Sequence, residues 1–229
     1  MTISEIIWDI LEIKHALEDD SDIEELWLLH KINSYRQIFI QQEFALNNHI
    51  DPTWLQRYHR FELTNVKAAD DPVITLGSIT LSKGTIPKVI SLPDDLGCYR
   101  IAGSSGILQF EPCDFNTLMM KIEIDEEMNN RYGYYSRIGE LVYLYPAIPE
   151  ASAILIAENP IDIPVHESGV IRARTLNDEY PLDIGLAQRV VLEICTKDFA
   201  ISEGSIPDII NDAQRQFKIM RNEGSSRDR

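Results

Sequence analysis

Nothing in this chain is apolar over any great distance. The longest hydrophobic runs, such as LVYLY at residues 141–145, fall far short of the roughly 20 residues that carry a helix across a bilayer, and no membrane partner is expected. The opening residues, MTISEIIWDILEIKH, bear acids early and no basic stretch, unlike a signal peptide, so synthesis and folding in a host cytoplasm are expected. Cysteine is scarce. Cys98, Cys113 and Cys195 are three in number, widely spaced among apolar neighbours, which is neither a disulfide framework nor a zinc-ligand spacing. Positive charge is scarce too. With 37 Asp and Glu against 21 Lys and Arg the formal charge is −16. Such a chain has no excess of cations with which to displace the counterions of a phosphate backbone. That balance argues against nucleic-acid binding as a purpose, but it leaves room for an acidic wall past which DNA slides.

Catalytic signatures are missing as well. The five histidines (His15, His30, His49, His59, His166) offer no i, i+4 pair and adjoin no Cys or Glu motif, so neither a metal nor a cofactor is expected. No serine occupies a G-x-S-x-G elbow. Gly103-Ser104-Ser105-Gly106 lacks the Gly-Lys-Ser/Thr of a phosphate cradle and reads as a hairpin turn. Acids gather at Asp19-Asp20 with Asp22, at Asp94-Asp95 and at Asp125-Glu126-Glu127, without the alternating spacing or glycine of a calcium loop. Each cluster falls at an expected helix end or turn, where solvated caps account for it. An acid–base hydrolase would need two carboxylates brought together from separate strands, and the sequence neither requires nor forbids that. No enzyme is expected.

What is there is organised by period. Residues 4–17 carry Ile6, Ile7, Ile10, Leu11 and Leu17 at helical spacing. Ser21 with Glu24 reads as a capping box that starts a second helix. No Gly or Pro intervenes before Pro52, so this helix runs from residue 22 to about residue 46, roughly 37 Å long. Its apolar residues, Ile23, Leu26, Trp27, Ile32, Tyr35, Phe39 and Phe44, wander around the cylinder, as in a helix packed on several sides. Asp51-Pro52 opens a short helix through Tyr58. Then the period changes to that of strands: residues 61–66, 73–81, 88–92, 98–102, 107–112, 134–138, 140–145 and 153–159, with turns that include Lys83-Gly84. A short helix is expected over 114–127. Periodicity is lost over 161–177, read as a loop or arm. Helices return at 182–199 and 208–220, the last with Ile209, Ile210, Ala213, Phe217 and Met220 on one stripe and a basic end that includes Arg221.

The expected fold is therefore α+β, a helical unit formed from both chain ends (1–60 and 178–229) around an inserted β-rich barrel or sandwich (61–160), with 161–177 as the loop. One surface invites a binding function. The hairpin with Tyr132, Tyr134, Tyr135, Tyr143 and Tyr145 has rings that stack on bases or sugars in other proteins, although cross-strand pairing also explains them. A non-enzymatic ligand- or carbohydrate-binding module is the alternative reading.

Several short stretches carry a resemblance that covers most of the chain. They are Asp19-Asp20-Ser21 at the end of the first helix; Asn33, Tyr35 and Arg36 on the long second helix; Ile86-Pro87-Lys88 leading into a strand; the tyrosine hairpin; and Tyr180-Pro181 and Pro207-Asp208 with Asn211-Asp212. With them the chain resembles the head-to-tail adaptor, or connector ring, proteins of tailed phages, in the form found in short-tailed, crAss-like phages. The resemblance implies a virion protein that assembles as a ring of about twelve copies, touches the portal and other connector or tail proteins, and lets DNA pass without binding it specifically. Subunit or partner contacts are then expected at Trp27, Tyr35, Arg36, Ile209, Phe217 and Arg221, and channel-facing acids at Asp19, Asp20, Asp22, Glu24 and Glu25. The simplest members are all-helical. The β insertion departs from them and leaves open whether this ring meets the portal directly or sits one ring lower.

Overall fold

The structure, a computed structural model, describes residues 1–15, 24–67, 69–74, 79–125, 132–167 and 170–199. In chain order the helices are α1 (Ile3–His15), α2 (Glu25–Asn47), α3 (Phe115–Asp125) and α4 (Ile184–Glu193). The strands are β1 (Gln56–Glu62), β2 (Thr64–Val66), β3 (Leu81–Thr85), β4 (Arg100–Gly103) and β5 (Gln109–Pro112). They continue with β6 (Tyr132–Ile138), β7 (Leu141–Tyr145), β8 (Glu150–Leu155), β9 (Val165–Glu167) and β10 (Val170–Arg172). Two compact units result: Met1–His49 with the chain from Thr175, and Ile50–Arg174. The fold is α+β, with helices from both ends of the chain and a β module between them.

In the helical unit, α1 buries Ile3, Ile6, Ile7, Ile10 and Ile13, a stripe at three- and four-residue spacing that meets α2 and α4. Its start is a capping box. The Thr2 hydroxyl accepts from the Glu5 amide at 3.1 Å and the Glu5 carboxylate from the Thr2 amide at 2.8 Å. The box expected at Ser21 is not there to compare, since residues 16–23 lie outside those described. Glu24 instead occupies the N-cap of α2 with extended backbone and no side-chain cap bond, so the helix begins at Glu25. Asn48 ends it in the left-handed region, its amide bonded to the Phe44 carbonyl at 2.7 Å. Asp183 caps α4 by accepting from the Leu186 amide at 3.0 Å. From Ile194 to Asp198 the helix finishes as a π turn. The two ends of the unit are sewn together by backbone. Thr2 bridges Glu179, the Ser4 amide donates to Leu176 O at 3.0 Å and the Tyr180 amide to Met1 O at 2.9 Å. The last expected helix, over 208–220, lies outside the described residues.

The β unit is one eight-stranded sheet in the order β1-β8-β4-β5-β6-β7-β3-β2. Its two outermost strands are consecutive in sequence, parted by Leu63 alone. A single segment thus pairs first with β8 and then with β3, which nearly closes the sheet into a barrel. Neighbours are antiparallel except β5 and β6, and that parallel pair is joined by α3, as a parallel connection requires. Alternation along β6 and β7 divides the side chains between two cores. Tyr135, Val142 and Leu144 enter the interior with Phe61, Ile101, Phe110 and Leu155. Tyr134, Leu141, Tyr143 and Tyr145 face out under Leu118, Met119 and Ile122 of α3.

Several expectations for this unit are corrected. The helix over 52–58 is a 3₁₀ turn, Pro52–Trp54, capped by Asp51 as foreseen, and β1 starts at Gln56; pairing with β8 prevails over the local helix signal. Lys83-Gly84 is no turn. Gly84 pairs with Val142 inside β3. Within 73–81 the described residues before Leu81 are turn or irregular, and 88–92 contributes only the Val89–Ala157 bridge. The stretch 161–177 contains β9 and β10, a separate antiparallel ribbon.

Residues 89–98 fold back on themselves with no room at Gly97, where a Cβ would lie 2.0 Å from the Ile90 carbonyl oxygen. Gly97→Ala is expected to lower stability by about 2 kcal/mol or more, read as a lower urea midpoint with an unchanged slope. An unchanged midpoint would mean that the loop relaxes freely.

Candidate assembly surfaces

Helix α2 carries the residues singled out on the long helix, and its two sides differ. Inward lie Leu28, Ile32, Asn33, Arg36, Phe39, Ile40 and Phe44. Arg36, expected at an interface between subunits, is wholly buried within its own unit. Its Nε donates to the Pro181 carbonyl at 3.1 Å, and its guanidinium lies 5.7 Å from the centroid of the Tyr180 ring. The Tyr180 hydroxyl donates to Asn33 Oδ1 at 2.7 Å. Burial pulls Arg36 down to about 10 and pushes the Tyr180 phenol up, so at neutral pH this is a buried cation set against a neutral phenol.

Outward, Trp27 is 37% and Ile38 44% exposed. Eleven positions apart, they share a face after about three turns. Leu26 and Leu46 are exposed as well. At the head of this face Trp27 packs on Phe199, ring centroids 5.8 Å apart, and Lys31 Nζ lies 5.3 Å from the Trp27 ring. Lys31 and Tyr35 both hold Asp198, the latter through its hydroxyl at 2.9 Å. Burial, then the Asp198 carboxylate, pushes the Tyr35 phenol up to about 12. Trp27 and Tyr35 thus converge on the π turn, whereas Arg36 points the other way. Glu24 and Glu25 are exposed at the start of α2. Asp19, Asp20, Asp22, Ile209, Phe217 and Arg221 lie outside the described residues.

Acids that sequence reasoning passed over sit on α1. Asp9 is pushed up to about 6, by burial first and then by Glu12 and Glu5, and burial raises Glu12 also. Spacing of three and four residues on a helix was the available signal.

In the β unit the hairpin tyrosines do not all face one way. Tyr135 and Tyr143 are buried, donating to the Cys98 carbonyl at 3.0 Å and to Asp71 at 2.9 Å. Lys83 bonds the same Asp71 oxygen at 2.6 Å and, with its neighbours, holds that carboxylate below the usual range. Lys121 covers the Tyr134 ring at 4.1 Å. Of the acid pairs, Asp94 and Asp95 both adopt positive φ, 54° and 56°, which Asp tolerates better than most residues. Asp95 is gripped by Arg137. One open depression of about 520 Å³ is lined by Tyr58, Lys88, Glu140, Glu158 and Asp162 among others. Among the described residues, no three His, Cys, Asp or Glu are grouped to hold a metal, and no helix is long and apolar enough to cross a membrane.

In the helical unit α2 packs on one side and leaves Trp27 and Ile38 partly exposed on the other. A family model described as phage tail ring protein 2, of the crAss type, matches residues 5–222. The chain belongs to that family. It is a structural component of the phage tail and of the virion. No curated protein matches the chain.

Two outcomes follow from these surroundings. Arg36→Met is expected to cost about 1 to 3 kcal/mol, because the Pro181 carbonyl loses its buried donor; Arg36→Lys should not restore it, having no planar fork to lie over the ring. Melting curves of the three proteins decide this. For Asp9 the folded pKa lies above the unfolded value of about 4. The native state therefore keeps a proton that the unfolded chain has lost, and the contribution falls as pH rises from about 4 to 6. Asp9→Asn should raise stability at pH 7 and flatten that part of the pH profile in denaturant titrations.

Proposed function

We propose that this protein forms a ring of the head-to-tail connector, joining the portal to the tail and enclosing part of the channel through which DNA leaves the head. The observation that carries this reading is the family match over residues 5–222, taken with the partly exposed Trp27 and Ile38 on α2. A ring of about twelve copies is built from one heterologous contact repeated around an axis. Each copy then needs surfaces sticky beyond its own core, and the Trp27–Ile38 face supplies one. Within this reading Trp27 and Tyr35 belong to the subunit contact, while Arg36 supports it from behind by holding α2 to Tyr180-Pro181. Ile209, Phe217 and Arg221 dock the end of the chain on a neighbour or another connector protein.

Net charge fits passage, not binding, of DNA. At −16 the protein repels the duplex, and we assign Asp19, Asp20, Asp22, Glu24 and Glu25 to the channel wall. The sugar-binding alternative keeps fewer rings to work with, because Tyr135 and Tyr143, two of the five hairpin tyrosines, are buried.

Ile38→Glu with Trp27→Glu is expected to abolish ring formation and incorporation into particles while circular dichroism stays that of the wild type. Unchanged incorporation would overturn the role given to this face. In filter binding at moderate salt the isolated protein should retain little duplex DNA; tight retention that weakens steeply with salt would make it a DNA-binding protein instead.

A further inference from the structure

The β unit carries two unlike patches on nearly opposite flanks. On the first, α3 packs over β6 and β7 through Leu118, Met119 and Ile122 and turns Met120 and Ile124 to solvent, the latter 65% exposed. Four residues apart, they form one apolar strip on the outer face. Exposed acids border it: Glu111 on β5, Asp114 at the head of α3 and Glu123, against Lys121, which lies over Tyr134. On the second flank the β9–β10 ribbon stands beside β1. His166 of β9 stacks on His59 of β1 with ring centroids 4.3 Å apart. His166 pairs in register with Ile171, and Val165 with Arg172. By the two-residue alternation, His166 and Ile171 share the side that meets β1, while Val170 and Arg172 share the side turned away. Val170 is 64% exposed. Arg57 and Arg60 lie near His59 on this flank, and Arg172 pairs with Glu167 at 3.6 Å.

In the sheet order β1 and β6 stand four places apart in a cycle of eight, as far as two strands can be. That arrangement is what a ring demands. A many-membered ring repeats one head-to-tail contact, so each copy must present two different, complementary faces on nearly opposite flanks. Two three-residue strands are also marginal in isolation and gain from being covered. We infer that the β9–β10 ribbon of one copy docks on the outer face of α3 in the next copy, Val170 against Met120 and Ile124, with Arg172 and Arg57 facing Glu123 and Glu111. The occupant is a second copy of this chain. Apolar residues at the centre with opposite charges at the rim supply adhesion and direction. The inference rests on the ring reading and adds the contact by which the β units join.

Phage particles carrying Val170→Cys together with Ile124→Cys provide the test. Cys98 and Cys195 are buried and Cys113 half-buried, which leaves the new thiols the accessible ones. Mild oxidation should give a ladder of covalent oligomers in the double variant and none in either single variant. Arg172→Glu should lower the assembled fraction at least tenfold with an unchanged melting curve, and Glu123→Arg added to it should recover most of the loss. If rings are present but no ladder forms and charge reversal changes nothing, this contact is wrong while the ring stands. A crosslink from Val170→Cys to a different tail protein overturns the choice of a second copy. Wild-type protein found in particles as a monomer removes the ring reading and the inference together.

Discussion

A guanidinium buried away from the surface needs an acceptor at a fixed place, and Arg36 sets that condition for the helical unit. Its Nε bonds the carbonyl of Pro181 and its plane lies over Tyr180, whose hydroxyl returns to Asn33 one turn before Arg36. Desolvating the charge is costly, and the cost is offset only when residues 180–181 stand against this turn of α2. The chain that leaves α2 builds the whole β unit before it comes back, and the place to which it returns is marked by this contact. Once Tyr180 is there, its amide reaches Met1 O, residues 2–4 align with 176–179, and α1 and α4 follow from the two strands of that small seam.

The β unit solves a different problem. An open sheet of eight strands would leave two long edges exposed to pairing. Here the segment that supplies both edge strands turns at Leu63, and the sheet nearly closes on itself. Closure puts α3 over one flank and the β9–β10 ribbon beside another. Both elements are extras to the barrel, and both expose apolar side chains that the interior does not use. Tyr135 and Tyr143 are spent on the Cys98 carbonyl and on the Asp71–Lys83 pair that ties the loop before β3 to β7.

These features suit a protein whose work is geometric. A ring component positions its neighbours. The thiols of Cys98 and Cys195 are pushed up to about 12 by burial, far from the range in which a thiolate attacks at neutral pH. Asp71 and Asp95 are occupied by Lys83 and Arg137.

Much of the fold was legible along the chain. The stripe through Ile6, Ile7 and Ile10, the long uninterrupted α2, the cap at Asp51-Pro52, the turn at Gly103–Gly106 and the alternation through β6 and β7 all follow from local spacing and local sterics. They appear near their expected places. Local rules misled wherever a distant partner prevailed. Residues 56–58 became strand because β8 lies beside them, and Lys83-Gly84 stayed in a strand because Val142 pairs with Gly84. The candidate surfaces divide in the same way. That α2 is apolar on more than one side is written in its residues, yet spacing does not say which side its own unit covers. It cannot tell that Arg36 faces Pro181 while Trp27 faces outward, nor that His166 stacks on His59. Composition and periodicity determined the classes of element and the acidic character, since both arise within a few residues of backbone and side chain. Only the tertiary structure decided which apolar residues remained exposed, because burial is a property of what packs against a residue from elsewhere in the chain.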